Sequence, residues 1–237
     1  MHNSEKDYLK LFYEGILASE TDTMESFEHR IKILKTLPTH QFKNPIFGIK
    51  KVHADVQTKK PMLPWFAALT RFEYQDDVAI PVIQISPFAP KETLDHEFIH
   101  AIKASHRDSV FEEFLAFELS QGLRKAVGPL FFDPWEANIL RISALIGFFL
   151  PVFWGASGLL FLYFCFRLFY VRSLFKKGLK GIEHHFRVQN PLPIALLLTE
   201  KEFRSLAKRE FETFENQLKK SSIRYQQILS LVGVGPS

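Results

Sequence analysis

The stretch DHEFIH, Asp95 to His100, runs on into AIKASHRDSVFEEFLAFE, Ala101 to Glu118. Apolar residues at Leu94, Phe98, Ile99, Ala101 and Ile102 give a helix over 91–104, opened near Pro90. Residues four apart on a helix lie on one face, one turn above the other. His96 and His100 can therefore aim their imidazoles at a single ion. Glu97 sits about 100° around the helix from His96, within reach of a water beside that ion. This is the physical content of the H-E-x-x-H pattern: two nitrogen ligands and a general base. Zinc suits such ligands and makes water acidic enough to attack a carbonyl.

Two histidines do not complete a catalytic zinc shell, which takes three protein ligands and an open position. Three candidates follow: His106, Glu112 and Glu113. His106 falls where H-E-x-x-H-x-x-G-x-x-H proteins carry a third histidine. Here the glycine of that pattern is Lys103, and the chain has no methionine after the motif, only Met1, Met24 and Met62. If SHRDS (105–109) joins two antiparallel helices, the second running from Ser109 to about Lys125, positions 113 to 116 face the histidines. Ser109 with Glu112 reads as a capping box, which occupies Glu112 and leaves Glu113 for the metal. Asp95, Asp108 and Glu118 are candidates to orient a ligand imidazole. His184 and His185 are candidates, by residue type alone, to stabilise an oxyanion.

With HEFIH followed by FEEFLAFE, the chain resembles the gluzincin branch of zinc metallopeptidases, the Peptidase MA-like group. There a second helix supplies a ligand Glu with an Ala three residues on, the spacing of Glu113 and Ala116. The resemblance covers residues 77–120. It implies a zincin-like α+β fold, His96, His100 and Glu113 as ligands of Zn2+, Glu97 as catalytic base, and a peptide or protein substrate.

Upstream, residues 4–18 and 21–36 read as amphipathic helices, Ile46–Val52 as a short strand, and Asp77–Ser86 as a strand. Pro81 in the last argues for an edge position or a bulge. Downstream, residues 139–170, ILRISALIGFFLPVFWGASGLLFLYFCFRLFY, are almost wholly apolar and longer than the roughly 20 residues a spanning helix needs. They read as a kinked helix or, turning around Pro151, a hairpin. Arg172, Lys176, Lys177 and Lys180 form a basic flank, which places that end in the cytoplasm. MHNSEKDYLKLFYEGILASE, the first twenty residues, has no apolar signal region, so no signal peptide is expected. A hairpin keeps both ends, and the metal motif, on the cytoplasmic side. Thr199 with Glu202 is a capping box opening a long amphipathic helix over 199–230.

The 237 residues thus divide into a mostly helical zincin-like domain with a small β-sheet (1–135), a membrane segment (136–175) and a C-terminal helical region (176–237). The single cysteine, Cys165, excludes a disulfide within the chain. A net charge of +4 with no basic stripe among exposed aromatics argues against a nucleic-acid partner. The expected function is a membrane-associated zinc metallopeptidase in which Glu97 activates the attacking water. The alternative is a non-enzymatic membrane protein with an incidental or structural H-E-x-x-H site.

Overall fold

The structure is a computed structural model. It describes all residues except 1, 43–45, 59–66, 107–108, 121–128, 132–133, 151 and 234–237. It is an α+β fold in which helices predominate. Helix α1 (His2–Tyr13) ends earlier than its apolar periodicity suggests. Gly15 stops it, with φ of 72° and a backbone so close to the Lys51 carbonyl that a Cβ would lie 2.7 Å from it. Helix α2 (Met24–Leu34) is capped by Thr23 and Ser26.

Five strands follow: β1 (Thr39–Gln41), β2 (Lys51–His53), β3 (Asp55–Thr58), β4 (Ala68–Gln75) and β5 (Val78–Ile85). β1 and β2 form an antiparallel pair, and β5 lies between β3 and β4. The strand expected over 46–52 is thus displaced to Lys51–His53. The hairpin β4–β5 turns through Asp76 and Asp77, both left-handed (φ 49° and 64°), the signature of a two-residue primed turn. Pro81 therefore lies in the central strand, not at a sheet edge. It is tolerated because β3 pairs only from Val82 onward, so at Pro81 the β3 side of β5 is open.

Helix α3 (Lys91–Ile102) leaves the sheet and ends in a 3-10 turn, Lys103–Ser105. Helix α4 (Ser109–Phe117) returns against it. The remainder of the expected 109–125 helix lies largely outside the described residues.

The apolar run is two helices, α5 (Pro134–Phe149) and α6 (Val152–Phe186). Ser157 donates to Ser143 at 3.0 Å, and Arg167 makes two bonds to Glu136 at 2.6 and 2.5 Å. Contacts 14 and 31 residues apart, nested about residues 150–151, define an antiparallel hairpin. α6 then continues without a break into the globular part. Gly178 and Gly181 let it approach α8 (Glu200–Lys208): a Cβ on Gly178 would lie 2.2 Å from the Phe203 ring. The expected single helix over 199–230 is instead three: α8, α9 (Phe211–Leu218) and α10 (Ser222–Gly233), preceded by the short α7 (Leu192–Leu197). Arg209, left-handed at φ 63°, ends α8, while the Thr199–Glu202 capping box is present as read.

One apolar core joins residues on both sides of the hairpin. Phe98, Phe111, Phe114 and Leu115 pack in the same cluster as Leu168, Phe175, Leu196, Phe203 and Ile228. Gln227 ties α10 to the chain after α1, accepting from the Ala18 amide and donating to the Ile16 carbonyl, both at 2.9 Å. Glu202 and Arg224, both almost fully buried, pair at 2.5 Å beneath α8. The two terminal segments therefore form one globular body from which the hairpin projects.

Candidate metal centre

α3 carries His96, Glu97 and His100, and α4 carries Glu112 and Glu113. The facing face of α3 is set by the apolar residues around the motif. Phe98, Ile99 and Ile102 go into the core, which turns the two histidines toward α4. Phe111, Phe114 and Leu115 do the same for α4 and leave its two glutamates opposite the histidines.

Three donor groups converge. His96 Nε2 lies 3.3 Å from His100 Nε2 and 3.5 Å from Glu113 Oε2, and His100 Nε2 lies 3.4 Å from Glu113 Oε1. Donor atoms about 2.1 Å from a tetrahedral ion lie about 3.4 Å from one another. The three spacings are those of one face of such a shell, and the group could hold a metal ion.

Glu112, assigned from sequence to the cap of its own helix, has another role. Its Oε1 meets His100 Nδ1 at 2.5 Å. A carboxylate accepts here, so Nδ1 carries a proton and Nε2 is the nitrogen that faces the centre. This is the arrangement by which a carboxylate orients a metal-bound imidazole. The candidates Asp95 and Glu118 do not take this place, and Asp108 lies outside the described residues. His96 is positioned differently. Its ring stands edge-on to Phe117 at 5.2 Å, and its Nδ1 is buried with no hydrogen-bond partner among the described residues.

The electrostatics favour positive charge at the centre. Burial lowers the His100 pKa, but the Glu112 hydrogen bond and the charges of Glu112, Glu113 and Glu97 outweigh it and raise it to about 9. A lone pair facing a carboxylate at 3.4 Å demands a cation or a proton between them.

Glu97 is buried, 7% exposed, and its Oε2 accepts from Thr70 Oγ1 of β4 at 2.6 Å. The bond fixes one carboxylate oxygen against the sheet. Sequence reading missed Thr70 because it did not recognise β4 as a strand.

The rival ligand His106 is elsewhere. It is buried, its Nε2 lies 3.2 Å from the Leu197 carbonyl and its Nδ1 3.1 Å from Ser105 Oγ. Burial, with Lys103, Arg224 and Arg30 nearby, pushes its pKa well below the ordinary value, so it is neutral. It closes a junction between the 3-10 turn and α7. His184 and His185 stack on Phe211 at 5.9 and 5.6 Å, in the C-terminal packing rather than at the centre. A cleft of about 590 Å3 beside α2 and the 3-10 turn includes His106 but none of His96, Glu97, His100 or Glu113. Donor convergence, not cavity size, marks the candidate site.

Comparison with protein-family models, with curated proteins and with solved structures gives no match.

Proposed function

We propose that the chain is a zinc-dependent metallopeptidase of gluzincin type, seated on a membrane by its hairpin. The observation that carries the reading is the convergence of His96, His100 and Glu113 with Glu97 on the intervening turn. The donor set, two imidazoles and one carboxylate, is one that zinc accepts with a position left open. Bound there, zinc supplies Lewis acidity, polarising a carbonyl and making water a better nucleophile. The chain's own groups do the rest. Glu112 keeps His100 in the ligating tautomer, and Thr70 holds the Glu97 carboxylate in place. Glu97 takes a proton from the attacking water. The water oxygen bonds to the peptide carbonyl carbon, the C–N bond breaks, and Glu97 returns the proton to the departing amine.

The hairpin supports the membrane reading. Among the described residues, Trp154–Phe186 is a helix long and apolar enough to cross a bilayer. Large apolar side chains stand outward along both arms, among them Leu145, Phe148, Leu159 and Phe166. A single crossing would put residues 12–119 and 168–228 on opposite sides, yet they share one core. A hairpin returns the chain to the face it left. The exposed basic residues Lys176, Lys177 and Lys180 favour the cytoplasmic face.

The deep burial of Glu97 favours a second reading, a structural metal site without hydrolysis. Glu97→Gln separates the two. The peptidase reading expects full zinc content and a 10²- to 10⁴-fold loss of peptide hydrolysis, on the order of a general base's contribution. A zinc-loaded wild type that cuts no peptide supports the structural site instead.

A further inference from the structure

α6 couples the hairpin to the metal centre. Its outward-facing apolar residues run from Trp154 to Tyr170. Within a turn and a half, Val171 and Phe175 of the same helix are in the core. Phe175 stacks on Phe111 at 6.3 Å and on Phe114 at 5.3 Å. These two rings bracket Glu112 and Glu113 in sequence. The helix that supplies both carboxylates, α4, is thus packed through its other face onto the helix that carries the outward-facing apolar residues. From Tyr170 to Phe175 is about 7.5 Å of helix rise, and one ring contact and one side chain more reach the centre. That places it within about 20 Å of the end of the apolar belt. Phe203 of α8 stacks on Phe175 at 5.5 Å and lies 4.7 Å from Phe111, so the junction is held in a cluster of four rings.

Resting on the peptidase and hairpin readings above, we propose that the centre works at the membrane face, on segments of membrane-anchored polypeptides close to where they leave the bilayer. A site no further than that from the belt meets a tethered chain within about 6 extended residues, at roughly 3.3 Å each. Freely diffusing peptides gain nothing from the strut. Tethered ones meet the site at raised effective concentration, which falls as the tether lengthens.

Two measurements on the full chain in lipid vesicles test this. In the first, Cu2+ is loaded as a probe of the site, and relaxation enhancement is read on nitroxide-labelled lipid headgroups. The expected result is strong enhancement that disappears in Glu113→Ala, which holds no copper. Copper bound to vesicle-seated protein without enhancement overturns the placement. No copper bound by wild type overturns the metal reading, and the inference with it. In the second, zinc-loaded protein is given a random-sequence peptide pool, either lipid-anchored or free, and cut positions are read by mass spectrometry. Cuts clustered within roughly 15 residues of the anchor, at least ten-fold above the free pool, support the proposal. Cuts spread evenly along the anchored peptides, with the free pool cut as fast, overturn it and leave the peptidase reading standing. No cuts in either pool overturn both.

Discussion

Ile194, Ala195, Leu196, Leu197 and Leu198 are each at most 2% exposed, whereas Phe148, Phe149 and Phe166 on the hairpin are 73–77% exposed. The two stretches have similar composition and opposite surroundings. The first is clamped between α4, α6 and α10 and needs no lipid. The second leaves most of its large apolar side chains exposed and pairs Glu136 with Arg167 and Ser143 with Ser157 between its helices. The metal-site pair α3–α4 also turns its polar side chains inward, but its outer faces pack into protein. Polar pairs inside mark both helix pairs; what lies outside tells the solvent of each. An apolar surface as continuous as the hairpin's is tolerated when something apolar covers it.

The difference can be broken most forcefully on the hairpin. Leu159→Asp with Phe166→Asp puts two charges on the outward face, each costing about 2.5–3.5 kcal/mol in a bilayer. Vesicle flotation should then fall by about four orders of magnitude in partitioning, with the thermal unfolding of the globular body unchanged. Unchanged flotation would mean that these residues do not meet lipid. A smaller effect is expected where α6 enters the globular body. Gly178→Ala drives a methyl into the Phe203 ring, and overpacking of this kind costs about 1–3 kcal/mol. Calorimetry should show a lower Tm, while membrane binding persists.

At the metal pair, Glu112→Gln should keep the fold and weaken zinc binding 10- to 100-fold in competition titration with a chelator, the usual effect of losing an orienting carboxylate. Equal affinity would show that Glu112 does not orient His100. The smallest effect concerns His106. Its folded pKa is depressed below the unfolded value of about 6.5. The unfolded chain therefore binds the proton more readily, and stability present above pH 6.5 declines as pH falls toward the folded pKa. In His106→Gln, whose amide can still bond Leu197, urea midpoints should fall less between pH 7 and pH 5 than in wild type.

Much of the candidate site was legible because its determinants are local. His96, Glu97 and His100 are fixed by helix periodicity, and Glu113 by the length of a short turn. The contact of Glu112 with His100 was not legible because a carboxylate in a first helical turn can serve a cap or a partner imidazole, and only packing shows the second. β4 was missed although Thr70, Phe72 and Tyr74 alternate with Arg71, Glu73 and Gln75; the prolines just upstream masked its start, and most of its residues are exposed on both faces. The break after α8 gave no warning, since Arg209 takes the left-handed position where glycine usually stands. The long apolar run gave its length but not its partners. That Glu136 and Arg167 meet across 31 residues is a tertiary fact. So is the shared core that returns both ends of the hairpin to one face.

The central claim is that His96, His100 and Glu113 form one zinc site. Elemental analysis of chelator-free protein tests it most directly, with wild type beside Glu113→Ala and His106→Ala. The account predicts about one zinc per chain in wild type and in His106→Ala, and close to none in Glu113→Ala. Zinc retained by Glu113→Ala, or absent from wild type, would contradict it.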